Sequence, residues 1–182
     1  MQFLKTQNIP VYTILRHEDG IDLHQLELLF QKNKIKFFYV VPRNHNPLGT
    51  NLNTKTRQQI AQLALKYNVI IIEDDYFSHA FHTPHYLPIH YYMAGQNCIY
   101  LTSFSKTIPY LRIGTCVIAP AFKPIFENLI HQSYYYSYQL PSLISQATLE
   151  VYLQNNLYEQ QMLKLERKLK NHFKVTQAIT SN

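Results

Sequence analysis

The sequence predicts an α/β protein, with a mostly parallel sheet covered on both faces and a helical C-terminal part. Three observations carry this. The short apolar runs IKFFYVV (35–41), VIII (69–72) and CIYL (98–101) are dominated by β-branched and aromatic residues, the pattern of strands buried on both faces. Stretches with helical spacing of apolar residues separate them, and strands that alternate with helices build parallel sheets. Beyond Pro120 the pattern is helical throughout, over about 121–134, 142–154 and 157–173.

Taken in order, VYTIL (11–15) reads as an early strand ahead of the polar turn RHEDG. Asp22 is placed to cap a helix running to Asn33, with Gln25 positioned to return the capping bond. The IKFFYVV strand stops at Pro42 and enters the loop PRNHNPLGTNLN. A second helix spans about 54–67, with Ile60, Leu63, Ala64 and Tyr67 as its inward face. VIII leads into EDDY (73–76), and CIYL is the third central strand. The connection from Leu101 to Ile113 is too short for a helical crossover and contains Pro109. The strand around CVIA (116–119) should therefore run antiparallel to its predecessor or lie apart from it. The tyrosine-rich HQSYYYSYQLP (131–141) reads as a joint between helices.

A chain of 182 residues, 46% hydrophobic and 15% charged, suffices for one globular domain with a sizeable core. The formal charge of +6 is scattered, except for Lys164, Arg167, Lys168 and Lys170. These lie opposite an apolar stripe of Tyr158, Met162, Leu165, Leu169 and Phe173, so a solvated helix face is the plain reading and a nucleic-acid surface the alternative. The two cysteines each begin an apolar run and fit small buried residues of a reducing compartment. No run approaches membrane-spanning length and no signal-peptide pattern opens the chain, so a cytoplasmic protein is expected. With only four glycines, no Gly-rich phosphate loop can be drawn. A bound phosphate would have to be held by side chains and helix ends.

Asn46 follows the first central strand, Asp74 the second and Lys106 the third. Ligands of open α/β sheets bind outside the carboxyl ends of the strands, so an amide, a carboxylate and an amine at one edge suggest a site. A lysine at an apolar rim has a destabilised ammonium form, which frees its amine for nucleophilic attack on an aldehyde. The alternative is a solvated loop lysine paired with Asp74 or Asp75. Asp75 itself is expected to cap or to face solvent.

Together, NPLG (46–49), EDDY (73–76) and SFSKTIPYLRIG (103–114) resemble three signatures of the fold-type-I pyridoxal-phosphate enzymes, the class I/II aminotransferases. The form of EDDY and SFSK is most similar to the aminotransferase-like domain of MocR/GntR-type transcriptional regulators. The match runs from about residue 9 to 173. It implies a three-layer α-β-α large domain over 1–150, and a long helix over 151–182 leading to a small domain. It also implies roles. Lys106 would form a Schiff base with pyridoxal 5'-phosphate, and Asp74 would pair with the pyridine nitrogen. Asn46 and Tyr76 would donate to the phenolate oxygen, and Ser103 and Arg112 would hold the phosphate. The partners implied are an amino acid or amine, a keto acid and a second copy of the chain. DNA would be reached only through a winged-helix domain, which these residues do not include.

The sequence departs from the pattern in three places. Lys106 and Arg112 are six positions apart, where relatives usually have one residue more. Leu48 stands where threonine is frequent. The helix and stacking aromatic that normally precede this region, and most of the small domain, are not found here, so the chain is expected to be the middle of a longer protein. Contacts of that kind are each worth on the order of a kcal/mol, and weak cofactor binding by this chain alone is expected. His79, His82, His85 and His90 lie close in sequence, but Pro84 and Pro88 break any helix that would align them, and paired cysteines are absent. A surface excursion is the plainer reading there. Helix packing is likewise the plainer reading of Tyr134, Tyr135, Tyr136 and Tyr138. Three functions remain open: a transaminase, an effector-sensing domain that does not catalyse, and an inactive remnant.

Overall fold

The computed structural model describes residues 2–78, 86–108, 110–137 and 141–180. Its internal contacts divide the chain into two compact units, Met1–Glu73 with Leu87–Cys98, and Asp74–Tyr86 with Ile99–Asn182. Helix α1 (Gln2–Thr6) is followed by β1 (Arg16–His17) and β2 (Gly20–Ile21), which pair antiparallel. The early strand expected at 11–15 does not form. The polar turn folds back on itself, so the ladder closes at Arg16↔Ile21 and His17↔Gly20.

Helix α2 (Leu23–Lys32) begins where expected, with the Asp22 carboxylate accepting from His24 N at 2.9 Å and Gln25 N at 3.1 Å. Strand β3 (Phe37–Val40) departs from expectation in its burial. Val40 is buried, while Phe37 and Tyr39 are each 57% exposed. The strand is the first of the order β3-β4-β5-β6, and only alternate residues turn toward the core. Helix α3 (Thr54–Lys66) starts at the Asn53 cap, whose Oδ1 accepts from Thr56 N at 2.8 Å, and buries Ile60, Ala61 and Ala64. Strand β4 (Ile70–Asp74) runs parallel to β3, from Phe37↔Ile70 to Val40↔Glu73. The short α4 (Ile89–Tyr92) completes this part. Leu26, Phe30, Val40, Ile60, Val69, Ile71 and Met93 belong to one buried cluster. Each such side chain contributes about 1.5–3 kcal/mol by leaving water.

Strand β5 (Cys98–Ser103) pairs with β6 (Gly114–Ile118) in antiparallel register, from Ile99↔Ile118 to Ser103↔Gly114, as the short connection predicts. A 3-10 turn at Pro120–Phe122 leads into α5 (Lys123–Ser137). That helix continues through YYYS to Ser137 and the next begins at Leu143, so the helices change over at the end of the 131–141 stretch. Tyr138 lies outside the described residues, as do the side chains of Tyr134, Tyr135 and Tyr136. Helix α6 (Leu143–Gln154) is capped by Ser142 Oγ, which accepts from Ser145 N at 3.2 Å, and α7 (Leu157–Thr180) follows. On α7, Tyr158, Met162 and Leu165 are half-buried while Lys164, Arg167 and Lys168 are exposed, a solvated basic face. Of the two cysteines, Cys98 is buried as expected, but Cys116 is exposed because β6 turns most of its residues to the surface.

The fold is thus α/β, with a mostly parallel sheet and a helical C-terminal part. No helix among the described residues is long and apolar enough to cross a membrane.

Candidate functional site

The connection between β5 and β6, residues 104–113, carries both Lys106 and Arg112. It is closed at its base by the Ser103↔Gly114 pair and by Phe104 N donating to Ile113 O at 3.0 Å. Within it, Ser105 N donates to Ser103 Oγ at 3.1 Å, and Thr107 N and Ile108 N donate to Phe104 O at 3.1 and 2.9 Å. Thr107 Oγ1 also donates to Phe104 O, at 2.9 Å. Lys106 therefore sits in a hydrogen-bonded turn rather than a slack loop.

Apolar anchors hold this turn down. Phe104, Ile108, Leu111 and Ile113 are buried together, with Leu149, Tyr152 and Tyr158 packed against them. The rings of Phe104 and Tyr158 meet edge to face, 5.6 Å apart. The anchors leave Lys106, Tyr110 and Arg112 exposed. The expectation of a lysine sheltered at an apolar rim is corrected here. The apolar residues around Lys106 take the buried positions, and the amine is left in solvent. Arg112 borders an open cleft of about 600 Å³ with Tyr110, Gly114, Pro141, Ser142, Ile144 and Ser145. A lysine can condense with an aldehyde in its unprotonated form, and an exposed guanidinium is a fork for an anion.

Asp74, the last residue of β4, is half-buried, and Tyr76 follows in the next turn. The Tyr76 phenol is pushed above its ordinary value of 10.0, first by burial and then by the negative charge of Asp74. The two side chains therefore share one neighbourhood, with the phenol held in its protonated, hydrogen-bond-donating form. Asp75 is not the capping or solvent-facing residue expected from the sequence. It is 1% exposed, and its Oδ2 accepts from Tyr100 Oη at 3.0 Å while its N–H donates to Leu101 O at 2.9 Å. These bonds tie the segment after β4 to the middle of β5, upstream of Ser103 and Lys106.

Asn46 lies in the first unit, in the loop after β3, and is exposed. Gly49, which ends the same motif, has φ +66, a left-handed conformation that glycine adopts without strain. His45 N donates to Thr50 O at 3.1 Å and Leu52 N to Pro42 O at 2.7 Å, so the loop folds back on itself.

Sequence reasoning missed several buried or half-buried charged residues, among them Glu73, Arg57 and Arg16. The Glu73 carboxylate accepts from Ile89 N at 2.9 Å and His90 N at 2.8 Å. Arg57 donates to Leu87 O at 2.9 Å, to Leu52 O and to Thr54 Oγ1. Arg16 reaches Val41 and Thr50. The only available signal was alternation along β4, which turns position 73 to the same side as buried Ile71 and so demands partners for its charge. His79, His82 and His85 lie outside the described residues, while His90 is described and its imidazole is pushed below 6.5 by burial.

A mostly parallel α/β sheet, with a carboxylate closing one strand and a lysine in the connection after another, is what the resemblance to an aminotransferase-like domain leads one to expect. The comparisons agree. The chain belongs to the class I and II aminotransferase family, whose sequence pattern matches residues 2–179. It is 37% identical over 180 residues to the uncharacterized HTH-type transcriptional regulator YcxD of Bacillus subtilis, covering 93% of this chain and 38% of that protein. To the HTH-type transcriptional regulator NorG of Staphylococcus aureus it is 34% identical over 139 residues, covering 76% of this chain and 30% of that one. Its fold is similar to that of Pyrococcus horikoshii kynurenine aminotransferase, solved in complex with PMP, at a TM-score of 0.76 and 25% identity, over 90% of this chain and 42% of that one. The chain spans less than half the length of each of these proteins.

Proposed function

We propose that this chain is a pyridoxal-phosphate-binding domain that moves an amino group between an amino acid or amine and a keto acid. The observation that carries the reading is the β5–β6 connection, in which an exposed lysine and an exposed arginine stand on one anchored turn. The donor set fits the cofactor in kind: an amine for its aldehyde, a carboxylate for its ring nitrogen, a phenol and an amide for its phenolic oxygen, and a guanidinium with a hydroxyl for its phosphate. Family membership and the fold similarity to an aminotransferase solved with PMP support the same reading.

When bound, the cofactor supplies an aldehyde that condenses with amines and a ring that accepts electrons from a deprotonated substrate carbon. Lys106 Nζ would hold it covalently, and the free amine would carry a proton to and from the substrate carbon. Asp74 keeps the pyridine nitrogen protonated. The Tyr76 hydroxyl and the Asn46 amide donate to the phenolic oxygen, and Arg112 and Ser103 fix the phosphate. The division into a cofactor-binding part over 1–150 and a helix over 151–182 leading to a small domain belongs to this proposal, as do a homodimer and a cytoplasmic location.

Titration with pyridoxal phosphate, followed by borohydride reduction and peptide mapping, tests the assignment. Label is expected on Lys106 and is lost in Lys106→Ala; label that persists in that variant refutes it. The relatives named as HTH-type regulators favour a second reading, an effector-sensing domain that keeps these residues without turnover and acts on DNA through a separate winged helix. Amino acids that perturb the cofactor spectrum while releasing no keto acid would select the sensor.

A further inference from the structure

Arg16 stands 34 residues from Thr50 in sequence, yet its guanidinium spans the neck of the loop that bears Asn46. Nε donates to Thr50 Oγ1 at 3.1 Å, Nη2 to Thr50 O at 3.1 Å and Nη1 to Val41 O at 3.2 Å. Val41 and Thr50 flank residues 42–49, so one side chain fastens both ends of the loop. Further bonds close the same neck, one of them on an atom that Arg16 also reaches. Thr50 O also accepts from His45 N at 3.1 Å, Gly49 N donates to His45 O, and Asn44 N donates to Asn51 Oδ1 at 2.7 Å. A guanidinium offers five donors in a rigid fork, and an ammonium cannot reproduce three diverging bonds of this kind.

We propose that Arg16 is a positioning residue: it fixes the loop at residues 42–50 and thereby sets where Asn46 presents its amide to the cofactor. The inference rests on the proposed cofactor role of Asn46. It adds to that reading a residue far away in sequence and outside every motif. The neighbouring His45 fits the same arrangement. Its imidazole is pushed below 6.5 by burial and then by the Arg16 charge, so the clamp stands beside a neutral ring. Without Arg16, Thr50 O keeps its bond from His45 N but Val41 O loses the guanidinium, and the two ends of the loop are no longer joined by one group.

The test uses the full chain in two states. Without cofactor, amide hydrogen exchange is measured at His45, Gly49 and Leu52 in wild type, Arg16→Lys and Arg16→Ala. With cofactor, the pH midpoint of the visible absorbance is measured in wild type, Asn46→Ala, Arg16→Lys and the double variant. Arg16→Lys keeps the charge and guards against the chance that the alanine variant fails to fold. Exchange at the three amides is expected to rise about tenfold or more, the equivalent of one lost hydrogen bond. The midpoint is expected to move in the direction of Asn46→Ala, and the double variant to add nothing further. Wild-type exchange in Arg16→Lys overturns the proposal. So does a midpoint that Asn46→Ala moves and Arg16→Lys leaves in place. Faster exchange, together with a midpoint that neither variant moves, supports the clamp and instead refutes the cofactor role of Asn46.

Discussion

Replacing Glu73 with glutamine keeps the shape of the side chain and removes half of what it does. Glu73 is 0% exposed, and its two oxygens accept from Ile89 N at 2.9 Å and His90 N at 2.8 Å. The amide has one acceptor oxygen, so one backbone N–H keeps a weaker, neutral bond and the other faces an NH₂ donor. A charge-assisted bond is worth about 1.5–3 kcal/mol, and a buried donor left unpaired costs about 1–3 kcal/mol. Part of that loss is offset because the uncharged amide is cheaper to bury, so the net destabilisation comes to about 2–4 kcal/mol. Urea unfolding followed by far-ultraviolet circular dichroism measures it. With a slope of about 2 kcal/mol per molar, in the middle of the usual range, the midpoint should fall by about 1–2 M at unchanged slope. A second readout is Cys98, whose thiol is pushed up to about 12 by burial and then by the Glu73 charge. Local opening at Leu87–Met93 should expose it to thiol reagents faster in the variant. An unchanged midpoint together with unchanged Cys98 labelling would show that these two bonds do not hold the segment in place.

Three further outcomes follow from particular positions. A Cβ on Gly114 would lie 2.6 Å from Thr102 O, so Gly114→Ala should cost about 1–3 kcal/mol by pushing β6 from β5; thermal melts check it, and weaker pyridoxal-phosphate binding should accompany the loss. Tyr110 is 97% exposed and has φ +70, where a side chain costs about 1–2 kcal/mol; Tyr110→Gly should therefore hold or raise stability and Tyr110→Val lower it in the same melts. His45 and His90 are both held below 6.5, His45 by burial and Arg16 and His90 by burial. The unfolded chain then binds protons more readily, so stability is complete above about 6.5 and falls as pH drops below it. Denaturation midpoints from pH 7 to 5 should fall less steeply in His45→Gln or His90→Gln.

The parts of the fold legible in the sequence were those decided by neighbours along the chain. Asp22 announces the start of α2 because a cap acts over two or three residues. The short connection and its Pro109 left β6 either antiparallel to β5 or apart from it, and the structure has the first. Burial was harder to read. Phe37 and Tyr39 look like core residues by type, but they share the face of β3 that turns away from buried Val40. The motifs picked out Lys106, Arg112, Asp74 and Asn46 as candidates, but gave no sign of the charged side chains held by distant backbone groups. Arg16, Arg57 and Glu73 bind backbone groups 16 to 34 positions away, and a backbone carbonyl or N–H leaves no mark in a sequence. Asp75 shows the same limit: nothing in EDDY says that its second aspartate turns inward to Tyr100 while its first remains half-buried.

An exposed cation at a site needs an apolar foundation, and in this chain the foundation is borrowed from the C-terminal helices. Phe104, Ile108, Leu111 and Ile113 can hold Lys106 and Arg112 at the surface only because Leu149 and Tyr152 of α6 and Tyr158 of α7 close over them. By linkage, a ligand that binds the ordered turn stabilises those helices by the same free energy with which their docking favours the ligand. That coupling is indifferent to whether the bound molecule is turned over. In a transaminase it would keep Lys106 in register, and in a sensor the same contacts would carry occupancy of the turn to α7. Substitutions such as Tyr158→Phe, which keep the ring packed against Phe104, should therefore preserve binding, whereas Leu149→Ala should weaken it without touching any group that meets the ligand.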